Sequence, residues 1–157
     1  MREIKKGPTS GDWYCNLLRF DRRKVLLFTG ADTLFSFLVP GIKRADLIDF
    51  GTIFLSHLES NLRHEGFPEP VIREAVGVHG VLIGRTVSRS VLGSMKELAL
   101  DSEYMLASNG GLQAVNILDV NKRLNRTLLS PLGSRFPIEA LTERLAGKAN
   151  VFPIRDE

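Results

Sequence analysis

The chain has a single cysteine in 157 residues, Cys15, so it forms no internal disulfide and cannot build a thiolate metal site without ligands of other kinds. Long apolar runs are missing too. The longest stretches, such as Val25 to Phe28, reach four residues, against the roughly 20 that a membrane helix needs. The basic start from Met1 to Pro8 is followed by polar residues, not by an apolar core of about 7 to 15 residues, so no signal peptide is read there and a cytoplasmic location is expected. Histidine is scarce: His57 and His64 are seven residues apart on one expected helix, about 10 Å along its axis, and cannot share a metal, while His79 stands alone. No His-x-x-x-His or Cys-x-x-Cys pair occurs, and no metal or cofactor is expected. The nucleophile elbow Gly-x-Ser-x-Gly is absent, because Gly93 and Ser94 lack the second glycine. Gly77, Gly80 and Gly84 do not make a Walker loop, since Arg85 and Thr86 follow at the wrong spacing.

What is present fits one ordinary domain. Apolar residues make up 43% of the chain and charged residues 25%, enough hydrocarbon for a real core. The net charge of +3 is uneven. Residues 1–30 carry seven Lys/Arg against three Asp/Glu, residues 31–112 seven against ten, and residues 113–157 seven against five. Two basic ends that met in the fold would make one positive face for nucleic acid or an acidic partner. The alternative is a solvated surface with no such role.

Trp13 to Phe20 and Val25 to Thr29 read as a β-hairpin around Asp21, Arg22, Arg23 and Lys24. Alternation makes both faces of the first strand apolar, which predicts a central strand and an inert, buried Cys15. Thr33 to Val39 reads as a third strand, stopped by Pro40 and Gly41, in an antiparallel meander. Leu47, Phe50, Phe54, Leu58 and Leu62 then recur at helical spacing between Asp46 and Gly66. A short helix follows from Pro70, a strand from Val81 to Thr86, and a helix capped by Ser90 or Ser88 that carries Val91, Met95, Leu98 and Met105 to the stop at Asn109-Gly110-Gly111. Leu112 to Leu129 is ambiguous because Asn116, Asn121 and Asn125 weaken a helix there, and Pro137 opens a last helix. The expected fold is a single α+β domain over residues 11–150: a small, mainly antiparallel sheet of three to five strands with three to four helices. A polar extension (1–10) and a tail (151–157) lie outside it.

Arginine is the remaining source of chemistry. Arg22, Arg23 and Lys24 crowd one hairpin turn, Arg85 and Arg89 flank the entry to the third helix, and Lys122, Arg123, Arg126 and Arg135 lie near the end. Guanidinium forks suit phosphate oxygens, Asn16 and Asn125 offer neutral donors, and a helix N-terminus at Ser88 to Val91 would add unpaired amides. Pairing of these arginines with the acidic middle segment is the competing reading.

As a set, Asp12-Trp13-Tyr14-Cys15-Asn16-Leu17-Leu18-Arg19-Phe20-Asp21-Arg22-Arg23-Lys24, Thr33-Leu34-Phe35-Ser36 with Val39-Pro40-Gly41, Glu65-Gly66-Phe67-Pro68, Arg89-Ser90-Val91-Leu92-Gly93-Ser94-Met95 and Leu124-Asn125-Arg126-Thr127 with Leu132-Gly133 resemble a bacterial family known as domain-of-unknown-function family 6933. The resemblance spans about residues 11–147 and implies relatives without implying an activity. Members begin with a further short strand and helix, where this chain has the polar Met1 to Gly11 segment. The tail from Leu124 to Ala140 is also similar to the end of integrase-type transposase domains, whose catalytic carboxylates are not evident upstream.

The expected function is a non-catalytic binding module whose basic face, Arg22, Arg23, Lys24, Arg85, Arg89 and Arg126 with Asn16 and Asn125, contacts nucleic acid or a protein partner. The alternative is an enzyme that holds a phosphorylated or nucleotide substrate with Arg85, Arg89 and Arg126, beside Glu97 or Asp101. A third reading is an interaction subunit with Trp13 or Phe35 exposed.

Overall fold

The computed structural model describes residues 2–7, 11–77, 82–85 and 88–149. Strands β1 (Arg2–Gly7), β2 (Gly11–Phe20), β3 (Arg23–Gly30) and β4 (Ser36–Pro40) follow one another as an antiparallel meander, and β5 (Leu82–Arg85) pairs antiparallel with β1. The order β4-β3-β2-β1-β5 makes β2 the central strand, as its two apolar faces predict. The segment expected as a polar extension supplies a strand instead: Ile4 is the Cα partner of Trp13 on one side and of Ile83 on the other. Pairing on both sides satisfies backbone groups whatever the side chains, so a polar segment becomes a strand through its neighbours rather than its own pattern.

The hairpin turn is tighter than the four-residue stretch read from sequence. Only Asp21 and Arg22 lie between the strands, with φ of 51° and 65°. Positive φ at both central residues gives the twist that a two-residue hairpin needs. β4 starts three residues later than expected because Leu34, with φ 60°, belongs to a turn in which its N–H donates to the Gly30 carbonyl.

Among the described residues, five α-helices cover the two faces. On one lie α1 (Phe50–Glu65), α2 (Glu69–Val76) and α5 (Pro137–Ala149), over Trp13, Cys15, Leu26, Phe28 and Phe37. Trp13 meets Phe54 edge-on at 5.2 Å, and Phe28 stacks on Phe37 at 5.2 Å. On the other lie α3 (Arg89–Ser108) and α4 (Ile117–Leu124), over Tyr14, Phe20, Val25, Leu27 and Leu38. α1 begins at Phe50 after a 3-10 turn (Arg44–Leu47), and Asp46 accepts from the Lys43 N–H within that turn instead of capping α1. Gly66 ends α1 at φ 97°, the left-handed conformation that favours glycine. Ser88 caps α3 by accepting from the Val91 N–H. α4 resolves the ambiguous segment: Asn116 caps it, accepting from Leu118 and Asp119, while Asn121 and Asn125 point into the structure. No helix among the described residues is long and apolar enough to cross a membrane.

Candidate functional site

The polar residues singled out from sequence fall into two settings. The first is the outer edge of β4. A strand at a sheet edge leaves alternate backbone groups without a strand partner, and here α4 covers them. Asn125 Oδ1 accepts from the Ser36 N–H at 2.8 Å and its Nδ2 donates to the Ser36 carbonyl at 2.7 Å. One turn earlier, Asn121 treats Leu38 in the same way, at 2.8 and 3.2 Å. The spacing matches: four residues of helix rise about 6 Å and two residues of strand about 6.7 Å. Each side-chain amide therefore stands in for a peptide group of a missing neighbour strand. Asn121 also donates to Asn61 Oδ1 at 3.0 Å, and Asn61 donates to the His57 carbonyl at 2.7 Å. Asn121 and Asn125 are both 1% exposed, so Asn125 is no ligand donor, contrary to expectation.

Arg126 borders this seam and is likewise engaged. Its guanidinium makes a two-point pair with Glu65, at 2.8 and 3.1 Å, and donates to the Lys122 carbonyl at 2.6 Å. The Glu65 side chain is almost fully buried, so this arginine is held by the acidic middle segment and does not face a ligand. Arg135 pairs with Glu143, and Arg144 with Asp32 at 2.9 Å. His64 Nε2 lies 2.8 Å from Asp119 Oδ1. Among the described residues no cluster of His, Cys, Asp or Glu forms a metal site.

The second setting is the hairpin end. Arg19, Arg22, Arg23 and Lys24 are all exposed, and none of them has an ion-pair partner among the described residues. Arg22 is at the tip. Arg19 and Lys24 are cross-strand Cα partners, and Arg23 pairs with Phe20 on the opposite face, so the positive charge wraps the end of the sheet. The one acid in the turn is engaged by the backbone: Asp21 Oδ2 accepts from the Leu112 N–H at 2.8 Å. Gly111, at φ 95°, makes room for it, since a Cβ there would lie 3.0 Å from Asp21 Oδ2. Beside Arg23, Pro40, Gly41, Gln113 and Ile117 line an open groove of about 310 Å³.

The remaining expected residues do not join this end. Asn16 is half-buried within β2, five residues before the turn. Arg89 is exposed at the start of α3, whereas the hairpin docks just beyond the end of that 20-residue helix, roughly 30 Å away at 1.5 Å per residue. The amides at the start of α3 are partly taken, by Ser88 Oγ on Val91 and by Tyr14 Oη, which accepts from the Ser88 N–H at 3.0 Å. The Arg85 side chain lies outside the described residues. Arg126, one of the trio expected to hold a phosphorylated substrate, is held by Glu65 instead. Trp13 and Phe35, expected to be exposed by the third reading, are fully buried. Arg19, which sequence reasoning left out, joins the site through its register with Lys24, a signal available once the turn is shortened to two residues.

Among the described residues, fold and surface thus define an α+β domain: a five-stranded antiparallel sheet with helices on both faces and a cluster of unpaired cations at its hairpin end. The chain belongs to the family described as Domain of unknown function (DUF6933), whose model matches residues 2–140. No curated protein and no solved structure matches it.

Proposed function

We propose that this protein is a non-catalytic, cytoplasmic binding module that contacts the phosphate backbone of a nucleic acid through the hairpin end, with Arg19, Arg22, Arg23 and Lys24 as the contact residues. The observation that carries the reading is the crowding of cations at one turn: Arg19, Arg22, Arg23 and Lys24 face solvent with no ion-pair partner among the described residues, whereas Arg63, Arg126, Arg135 and Arg144 are each paired with a carboxylate. Two local costs support it. Arg22 occupies a left-handed conformation that costs a non-glycine residue roughly 1 kcal/mol. Arg19 and Lys24 put like charges directly opposite each other, an arrangement that destabilises a sheet. An anion against this end would relieve the second cost and use the guanidinium that the first one presents.

The test is fluorescence anisotropy with labelled single-stranded and duplex DNA and RNA at about 50 and 200 mM salt, the range in which phosphate-driven affinity changes most. Saturable binding that weakens steeply with salt is expected. Absence of binding at the lower salt overturns the nucleic-acid reading, and capture of acidic polypeptides in its place would reassign the same end to a protein partner.

A further inference from the structure

Helix α3 buries Val91, Ser94, Met95, Leu98, Ser102 and Leu106 against the sheet and leaves the opposite side bare. On that side Leu100 is 61% and Tyr104 74% exposed, the only large hydrophobic side chains of α3 exposed among the described residues. At about 100° per residue they belong to one stripe. Gly93, Leu100 and Ala107 recur every seven residues along its centre, and all are exposed. Lys96 and Glu103 lie along one flank, Glu97 and Tyr104 along the other. Lys96, Glu97 and Glu103 are exposed and have no ion-pair partner among the described residues. Nor does the helix offer them one: the residues three and four positions after Lys96 are Ala99 and Leu100, and those after Glu103 are Leu106 and Ala107.

We propose that this stripe is a self-complementary face through which two copies of the chain associate, α3 against α3, antiparallel about a two-fold axis at Leu100. A two-fold contact requires each residue to meet its own complement on the partner. Rotation about an axis perpendicular to the helices carries Lys96 of one copy onto the flank where Glu103 of the other lies. It carries Glu97 onto the Tyr104 flank, where the phenol can donate to the carboxylate. Leu100 meets Leu100 at the axis, and Gly93 faces Ala107, small against small, so the helices can approach closely. A Cβ added at Gly93 would meet nothing within 4 Å inside the monomer. Antiparallel alignment also sets the opposed helix dipoles head to tail. The proposal is independent of the nucleic-acid reading, since the hairpin end contributes nothing to it.

Sedimentation velocity of the full chain from about 10 μM to about 1 mM is expected to show a monomer passing to a dimer, as a modest interface does in that range. Leu100→Glu, at an exposed site, should retain the circular dichroism of the fold and remain monomeric. Lys96→Glu should weaken the dimer about tenfold, and Lys96→Glu with Glu103→Lys should restore it. Orientation is read by oxidation, with the buried Cys15 silent: an equimolar mixture of Gly93→Cys and Ala107→Cys chains should give the mixed disulfide and little of either homodimer. A monomer throughout the range overturns the proposal, as does a Gly93→Cys homodimer formed in preference to the mixed product.

Discussion

Asn125 and Arg22 both stand where the sheet ends, one along the outer edge of β4 and the other at the turn between β2 and β3, and the chain treats the polar groups there in opposite ways. At the β4 edge the Ser36 and Leu38 peptide groups meet Asn125 and Asn121, and Asn61 continues the chain of amides to the His57 carbonyl. At the hairpin end, among the described residues, the only internal polar contact of the turn's side chains is Asp21 with the Leu112 N–H, while four cations are left to solvent. A buried, fully satisfied network costs a great deal to disturb and has nothing to offer a ligand. An exposed, unpaired one is cheap to disturb and can bind.

The largest effect that would sharpen this contrast is at the seam. Asn125→Leu preserves size but leaves the Ser36 N–H and carbonyl without partners, each worth about 1–3 kcal/mol when buried. Chemical denaturation should therefore show a loss of about 3–5 kcal/mol, with Asn121→Leu close behind. A loss below about 1 kcal/mol would mean that water replaces the amides and that the seam is not what closes the edge.

At the hairpin the expected change is smaller and opposite in sign. Arg22→Gly removes the steric cost of φ 65°, and denaturation should show a gain of about 0.5–1 kcal/mol. The same variant should bind nucleic acid more weakly at low salt. A substitution that raises stability and lowers binding separates the two regions more sharply than either reading alone.

The smallest effect is a pH dependence at the far end of the seam. Burial lowers the His57 imidazole below its ordinary value of 6.5, outweighing the Asp46 carboxylate, which acts in the other direction. As pH falls through 6.5, the unfolded chain takes up a proton that the folded chain still excludes, so stability should decline from about that pH downward. His57→Gln should flatten that part of the profile. An unchanged slope in the variant would assign the decline to other groups.

Much of this architecture is legible in the sequence, because its signals are local. The meander, its central strand, the glycine stop of α1 and the capped start of α3 all follow from periodicity and turn chemistry within a few residues. The seam is not legible in that way. Asn121 and Asn125 weaken a helix by propensity, and only their partners on a strand more than 80 residues earlier in the chain turn them into edge cover. Two asparagines four apart on the buried side of an amphipathic helix, beside Val120 and Leu124, are the sequence signal that marks such a role. Arg126 has the same character, since Glu65 is 61 positions away. Arg22 to Lys24 were legible as a charged turn, but the contact of Asp21 with the Leu112 N–H depends on Gly111 and Leu112 at the end of α3.

If the hairpin cations bind nucleic acid while Arg126 serves the fold, the most direct test sets one against the other in a single assay. The salt dependence of nucleic-acid affinity should be measured for the wild type, for Arg22→Gln with Arg23→Gln, and for Arg126→Gln. The hairpin variant should lower the salt slope by about two, one for each lost phosphate contact, with little change in stability. Arg126→Gln should leave the slope unchanged and lower stability, because the buried Glu65 carboxylate loses its partner. A hairpin variant that keeps the wild-type slope, or an Arg126 variant that loses it, would contradict the division.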